Sequence, residues 1–348
     1  MSETLKLPAG FAGHMVEWQR RQGRQHLPWQ HTRDPYRVWL SEIMLQQTQV
    51  STVLDYYPRF LARFPDVASL AEAPLDDVLA LWSGLGYYSR ARNLHRCAQD
   101  VMARFGGQFP TTAEQLVTLP GIGRSTAAAI AAFCFHERVS ILDGNVKRVL
   151  SRVLAYGADL AVASHERELW RLADGLLPEQ ALDMPAYTQS LMDVGATLCQ
   201  PRKVQCEVCP VQALCLAHAQ GQPLSYPVKT RKLKRSSATL WLLWAVNARG
   251  EVWLHKRAAR GIWAGLFCLP VFDDESALLA ACASGMSPEY TEPFKHVLTH
   301  RDLHIHPVRV LWPSAHAPEG EGRWVAAHEW PRLGLPAPIR SLLEGRQG

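Results

Sequence analysis

Leu116-Val-Thr-Leu-Pro120-Gly121-Ile-Gly123-Arg-Ser125-Thr-Ala-Ala-Ala-Ile130 reads as one helix stopping and another starting at once. Thr112 and Gln115 form a capping box that opens a short first helix, Pro120 and Gly121 close it, and an alanine-rich helix starts just after Gly123. Glycines in such a turn let backbone N–H groups approach an anion without a side chain in the way. The second helix adds the positive end of its dipole. A phosphate is the expected ligand of Gly121, Gly123 and the Ser125 end of the second helix. An ordinary helix–helix turn with a C-cap glycine is the plainer reading of G-x-G alone. Pro-Gly-Ile-Gly followed by polar or basic positions is more specific for a helix-hairpin-helix element, which holds the DNA backbone without reading sequence.

Outward from this hairpin the chain divides by period. Up to about Ala219 apolar residues recur at helical spacing between caps, prolines and glycines. From Thr239 the grammar changes. Thr239-Leu-Trp-Leu-Leu-Trp-Ala-Val246, the turn Asn247-Ala-Arg-Gly250 and Glu251-Val-Trp-Leu-His255 predict a hairpin, with Leu303–His306 and Val308–Leu311 as further strands. Gly221-Gln-Pro-Leu-Ser-Tyr-Pro227 runs into Lys229, Arg231, Lys232, Lys234 and Arg235, a basic linker that suits either phosphates or water. The 348 residues fit two domains. A net charge of +5 permits a polyanionic partner. Apolar stretches such as Thr126 to Phe135 fall far short of the roughly 20 residues a bilayer span needs, so a soluble protein without membrane association is expected.

Two carboxylates carry candidate chemistry. A helix predicted over Tyr36 to Gln49 places Glu42, Gln46 and Gln49 on one face, an acid with two amides and no lysine to neutralise it. A solvated polar face is the alternative. Gln47 and Thr48 add groups able to bond base edges. Asp143, before Gly144 and Asn145 and a periodic apolar helix, is an N-cap residue, and the helix end that it caps also stabilises an ionised carboxylate. One protonated acid and one ionised acid would suit cleavage at a sugar carbon, the first protonating a leaving group and the second supporting an oxocarbenium-like sugar. Leu81-Trp-Ser-Gly84-Leu-Gly86-Tyr87-Tyr88-Ser-Arg90-Ala-Arg92 offers a ring beside cations, fit to open a base step, with Tyr87 exposed and Tyr88 in the core.

Cys199, Cys206, Cys209 and Cys215 form a single site with gaps of six, two and five residues. Zinc ribbons pair two C-x2-C knuckles and here there is one, so an iron-sulfur cluster ranks first, zinc second and disulfides third. Cys97, Cys134, Cys268 and Cys282 lie in apolar surroundings, like free thiols of a reducing cytosol, and no apolar cleavable signal is evident.

Ser41-Glu-Ile-Met-Leu-Gln-Gln-Thr-Gln49, Gly84-Leu-Gly-Tyr-Tyr88, Leu119-Pro-Gly-Ile-Gly123, Asp143-Gly-Asn-Val146 and the C-x6-C-x2-C-x5-C run occur in an order that resembles the adenine DNA glycosylase family of the endonuclease III superfamily. Arg260-Gly-Ile-Trp-Ala-Gly-Leu-Phe-Cys-Leu-Pro270 resembles the start of that family's Nudix-like domain. The resemblance implies a multidomain α and α+β chain. Residues 1–220 would form an all-α helix-hairpin-helix glycosylase domain with a [4Fe-4S] cluster on the four cysteines. Residues 221–237 would be the basic linker, and 238–348 a Nudix-like α/β domain that recognises the lesion. It further implies a cytoplasmic, nucleoid-associated monomer that removes adenine opposite 8-oxoguanine or guanine from duplex DNA. Glu42 would protonate adenine, Asp143 would stabilise the sugar cation, and Asn145 would help hold sugar and water. Gln47 and Tyr87 would meet the lesion pair, and Thr299 and His300 would read 8-oxoguanine, with Leu298 where the family has phenylalanine. Ser125 stands where endonuclease III has its Schiff-base lysine, which implies a monofunctional enzyme. A bifunctional glycosylase/lyase and a non-catalytic cluster-bearing DNA-binding protein are the alternatives. His296, His300, His304 and His306 fit alternating strand positions, and the segment after Phe267 lacks the carboxylates of a Nudix Mg²⁺ loop, so no nucleotide hydrolysis is expected there.

Overall fold

The computed structural model describes residues 7–230, 234–282, 285–313 and 317–345. Arg231 and Lys232 of the basic linker lie outside them. The chain packs as two units. One gathers the described residues of Met1–Ala71 and Arg96–Lys232, the other those of Glu72–His95 and Leu233–Gly348.

The first unit is helical. Its core joins Phe11 and Met15 of the helix Phe11–Gln22 to Ala128, Ala129 and Ala132, to Val146, Val149 and Leu150, and to Tyr187 and Leu191. The helix Arg124–Phe135 runs through this core, with Ala127 to Ala132 all buried. Alanine there serves close approach, because neighbouring helices can pack near its axis with little side chain between them. The predicted hairpin is present. Thr112 accepts from the Gln115 amide to open the helix Ala113–Leu116, and Gly121 turns the chain at φ 77° before Arg124–Phe135 begins.

The helix predicted over Tyr36 to Gln49 is shorter. It runs Pro35–Leu45, capped by Asp34, and a second helix spans Val50–Arg63. Gln47 adopts φ 57° between them. Gln46 to Gln49 therefore form a corner and not the last turn of a helix. Polar residues with no apolar stripe give a helix little packing to hold it.

Among the described residues the second unit is built on a sheet of eight strands: β1 (Ser236–Asn247), β2 (Val252–Lys256), β3 (Phe267–Cys268), β4 (Val271–Phe272), β5 (Pro288–Tyr290), β6 (Phe294–Val297), β7 (Arg301–Trp312) and β8 (Arg323–Val325). The order is β3-β2-β1-β7-β5, with β4 on β1, β6 on β7 and β8 on β2. The central pair β1 and β7 is parallel, from Ser236 beside Arg301 to Asn247 beside Trp312. Leu240, Leu242, Leu303 and Ile305 bury on one face, under the helix Ala337–Leu343. Leu243, Ala245, Val308 and Val310 bury on the other, under Glu275–Ala280. Two covered faces explain the unbroken apolar run of β1. The two strands predicted on either side of Pro307 are one. The Pro307 carbonyl accepts from Thr291, so the edge where its N–H is missing faces the gap between the stretches paired to β6 and β5.

Glu72–His95 packs with this sheet domain. The Tyr88 hydroxyl donates to the Leu335 carbonyl at 2.7 Å, Arg340 reaches Ser83 Oγ at 3.0 Å, and Arg92 reaches the Ala264 carbonyl at 2.8 Å. Gly334 is needed here, because a Cβ on it would lie 2.8 Å from that of Leu79.

Candidate active site

A cavity of about 720 Å³ opens in the helical unit, and Glu42, Asp143, Asn145 and Ser125 all line it. Gln46, Thr48 and Gln49 line it as well, whereas Gln47 is exposed and absent from its wall. The break after Leu45 thus splits the glutamines into two groups with different outlooks.

Glu42 lies on the helix Pro35–Leu45 between buried Ser41 and Ile43. Burial, and secondly the charge of Asp143, push its carboxyl up to about 8, so it holds its proton at neutral pH. Asp143 caps the helix Gly144–Val153, its Oδ1 accepting from the Val146 amide at 2.7 Å. The cap and the nearby Arg148 and Lys147 pull its pKa down. Burial is the larger influence and the net direction is up. The cap therefore limits the cost of the charge without removing it.

Asn145 is fixed from behind. Its Oδ1 accepts from Arg148 at 2.8 Å, and the same guanidinium donates to the carbonyls of Gly195 at 2.6 Å and Cys199 at 2.7 Å. A Cβ at Gly195 would stand 2.7 Å from the Asn145 Cβ, so the helix Met184–Thr197 reaches this turn only because residue 195 has no side chain. Gly195→Ala is expected to cost about 1–3 kcal/mol of stability by overpacking, seen as a lower denaturant midpoint. Base release should slow with it, as the Asp143–Asn145 turn is displaced. An unchanged midpoint would show that the helices separate freely.

Sequence reasoning missed a buried acid behind part of the cavity wall. Asp193 is fully buried and accepts from the Arg24 amide at 2.9 Å, the Arg24 guanidinium at 2.6 Å and Gln189 at 2.9 Å. Arg24, Trp29, Gln189 and Met192 face the cavity. The available signal was an acid on the apolar face of a helix, which burial leaves unsatisfied without a cation.

At the hairpin, Gly123 is extended and a Cβ on it would meet nothing within 4 Å, so its glycine leaves the helix N-terminus open to a ligand. Arg124 is engaged elsewhere, its guanidinium 3.8 Å from the Trp170 ring centroid and 3.8 Å from Asp174. Within the turn the Ile122 amide donates to the Leu119 carbonyl at 3.2 Å. The Ser125 hydroxyl accepts from the Leu142 amide at 3.1 Å, holding the strand-like approach to Asp143.

The four cysteines line one small cavity with Val149, Val153, Val194 and Leu198. The eight cysteines are not paired as disulfides. Among the described residues no group of His, Cys, Asp or Glu is spaced to hold a single metal ion. Arg152, 2% exposed, donates to Cys199 Sγ at 3.2 Å. Backbone amides of Val211, Ala217 and His218 point at Cys209 and Cys215. Against these, burial pushes the Cys209 thiol up to about 12, with its three neighbours adding to the rise. Four thiols, with donors aimed at the sulfurs of Cys199, Cys209 and Cys215, suit a ligand set whose charge a metal cluster would balance. Arg202 and Lys203 of the same loop are exposed.

In the sheet unit, Tyr87 is 44% exposed at φ 47° with Arg90 over its ring, and its hydroxyl meets Thr299 Oγ1 at 2.5 Å. Thr299 and His300 are both exposed in the turn between β6 and β7. Leu298 packs on the sheet core. The fold thus joins Tyr87 to Thr299, which are far apart in sequence.

Residues 40–174 match the HhH-GPD superfamily of base excision DNA repair proteins, and residues 241–345 match the NUDIX domain. With the acid-lined cavity, these define a DNA N-glycosylase of the helix-hairpin-helix class carrying a Nudix-like domain. The adenine DNA glycosylase of Buchnera aphidicola subsp. Baizongia pistaciae is 35% identical over 339 residues, covering 96% of this chain and 95% of that one. The adenine DNA glycosylase of Mus musculus is 45% identical over 222 residues, covering 61% of this chain and 42% of that one. The chain belongs to the adenine DNA glycosylase family. A thermostable thymine-DNA glycosylase of known structure is 28% identical with a TM-score of 0.53, over 60% of this chain and 95% of that one. An endonuclease III bound to DNA, 19% identical with a TM-score of 0.51 over 60% of this chain and 94% of that one, shares the fold.

Proposed function

We propose that this protein hydrolyses the N-glycosidic bond of adenine opposite 8-oxoguanine or guanine in duplex DNA, as a monofunctional enzyme. The carrying observation is the pair of acids in one cavity, with burial keeping Glu42 protonated at neutral pH. The cavity volume suits a nucleobase turned out of the stack. Protonated Glu42 then donates to the adenine ring, which leaves with the electrons of its bond to the sugar. Asp143 faces the oxocarbenium-like sugar, Asn145 holds the sugar and the attacking water, and the water proton returns to a carboxylate. Ser125 offers no amine for a Schiff base.

Phosphates meet the amides of Gly121, Gly123 and Ser125, while Tyr87, Gln47, Thr299 and His300 meet the mispair, and the sheet domain reads DNA without hydrolysing nucleotides. Cys199, Cys206, Cys209 and Cys215 would hold a [4Fe-4S] cluster. When bound, it would shape the loop that presents Arg202 and Lys203 to DNA. The protein would act as a monomer in the cytoplasm, bound to the nucleoid through DNA.

The test is base release from defined duplexes. Adenine should leave A:8-oxoguanine and A:G pairs and stay in A:T, and borohydride should trap no covalent complex. Efficient trapping would favour the glycosylase/lyase reading, and no release from any pair would favour a binding protein.

A further inference from the structure

The basic run before the sheet suits phosphates on sequence alone, yet its last arginine is committed to protein. Arg235 Nη1 donates to the Thr299 carbonyl at 3.0 Å, and Nη2 donates to the Leu298 carbonyl at 3.0 Å and to the Asp302 carboxylate. The next residue takes the next carbonyl, the Ser236 amide donating to His300 O at 2.9 Å. The carbonyls of Leu298, Thr299 and His300 therefore all accept from two adjacent residues where the linker ends. Asp302 is held on its other oxygen by Lys295 at 2.6 Å, diagonally between β6 and β7, where Lys295 lies opposite His304 and Asp302 opposite Val297. Within the turn, the Leu298 amide closes on the Arg301 carbonyl at 2.8 Å. With the carbonyls tied back and Leu298 on the core, Thr299 and His300 are left exposed, the Thr299 hydroxyl bonded to that of Tyr87.

We propose that Arg235 is a positioning residue for specificity. Its guanidinium, braced by Asp302 and Lys295, sets the Leu298–Asp302 turn so that Thr299 and His300 meet the base opposite adenine. This rests on the reading of that turn as the lesion contact. A fork of N–H donors is what two adjacent carbonyls and a carboxylate require, and a lysine ammonium at the same place cannot reproduce it.

Arg235→Lys keeps the charge and loses the fork. The expected result is faster amide hydrogen exchange in residues 298–302, with preference for A:8-oxoguanine over A:G lowered about three- to tenfold and single-turnover release from A:G little changed. Arg235→Gln should match it in both readouts. If Arg235 served as a phosphate contact, Arg235→Lys would behave as wild type, while Arg235→Gln would weaken binding to both duplexes alike and flatten the salt dependence. That pattern, or unchanged exchange in Arg235→Lys, overturns the proposal. Faster exchange with an unchanged preference would sink the lesion reading of the turn, and Thr299→Ala with unaltered preference would confirm that failure independently of Arg235.

Discussion

Glu42→Gln is expected to lower single-turnover adenine release by about 10²–10⁴-fold, the usual worth of a placed general acid, while making the protein harder to unfold at neutral pH. The two effects share a cause. Burial and the neighbouring Asp143 raise the Glu42 carboxyl from 4.5 to about 8. Between those values the folded state binds more protons than the unfolded one, so stability falls as pH rises through the window. At pH 7 this costs about 3 kcal/mol. Glutamine keeps the shape and has no proton to lose. Its thermal midpoint should change little from mildly acidic to neutral pH, where that of the wild type declines. For the wild type, the acid form is the active one, so release should hold below about pH 8 and then drop roughly tenfold per pH unit. A flat profile above pH 8, or a variant with wild-type rate, would remove Glu42 from the chemistry.

Asp143→Asn is expected to lose on the order of 10²–10³-fold in release, the scale of removing a preorganised charge from a developing ion, with folding almost intact. Asparagine caps a helix about as well as aspartate, so the bond to the Val146 amide can persist. What disappears is the negative charge facing the sugar. Asp143→Leu loses the cap as well and should drop in stability by about 1 kcal/mol. Equal losses of activity in both variants, with stability lost only in the second, would separate capping from catalysis. Full activity in Asp143→Asn would show that the residue is a cap and nothing more.

The hairpin, the break to strands after the linker and the two acids were legible because each is written locally, in caps, turn glycines and periodicity. The Pro35–Leu45 helix was overextended, since glutamine and threonine neither favour nor forbid another turn and the decision falls to packing. Arg24 and Asp193 went unseen for a different reason. Their partnership joins the start of the chain to a late helix, and no local pattern encodes it. The pull of burial over the helix cap at Asp143 was hidden likewise, because an N-cap signature shows the bond and not the depth at which it is made. Arg235 was assigned by its charge, whereas its partners come from a turn that only the sheet brings near.

Glu72–His95 emerges early in synthesis, but the surfaces it settles on, including Ala264, Leu335 and Arg340, are made last. The ribosome therefore releases a piece of the second unit long before the rest of it exists. Translation must carry that piece unsatisfied, and proteolysis at the linker would not yield two whole units. One fragment keeps an orphaned segment, and the other lacks part of its wall. Inheritance of the sheet domain is thereby tied to the helical one: a gene break at the linker divides the sequence without dividing the structure.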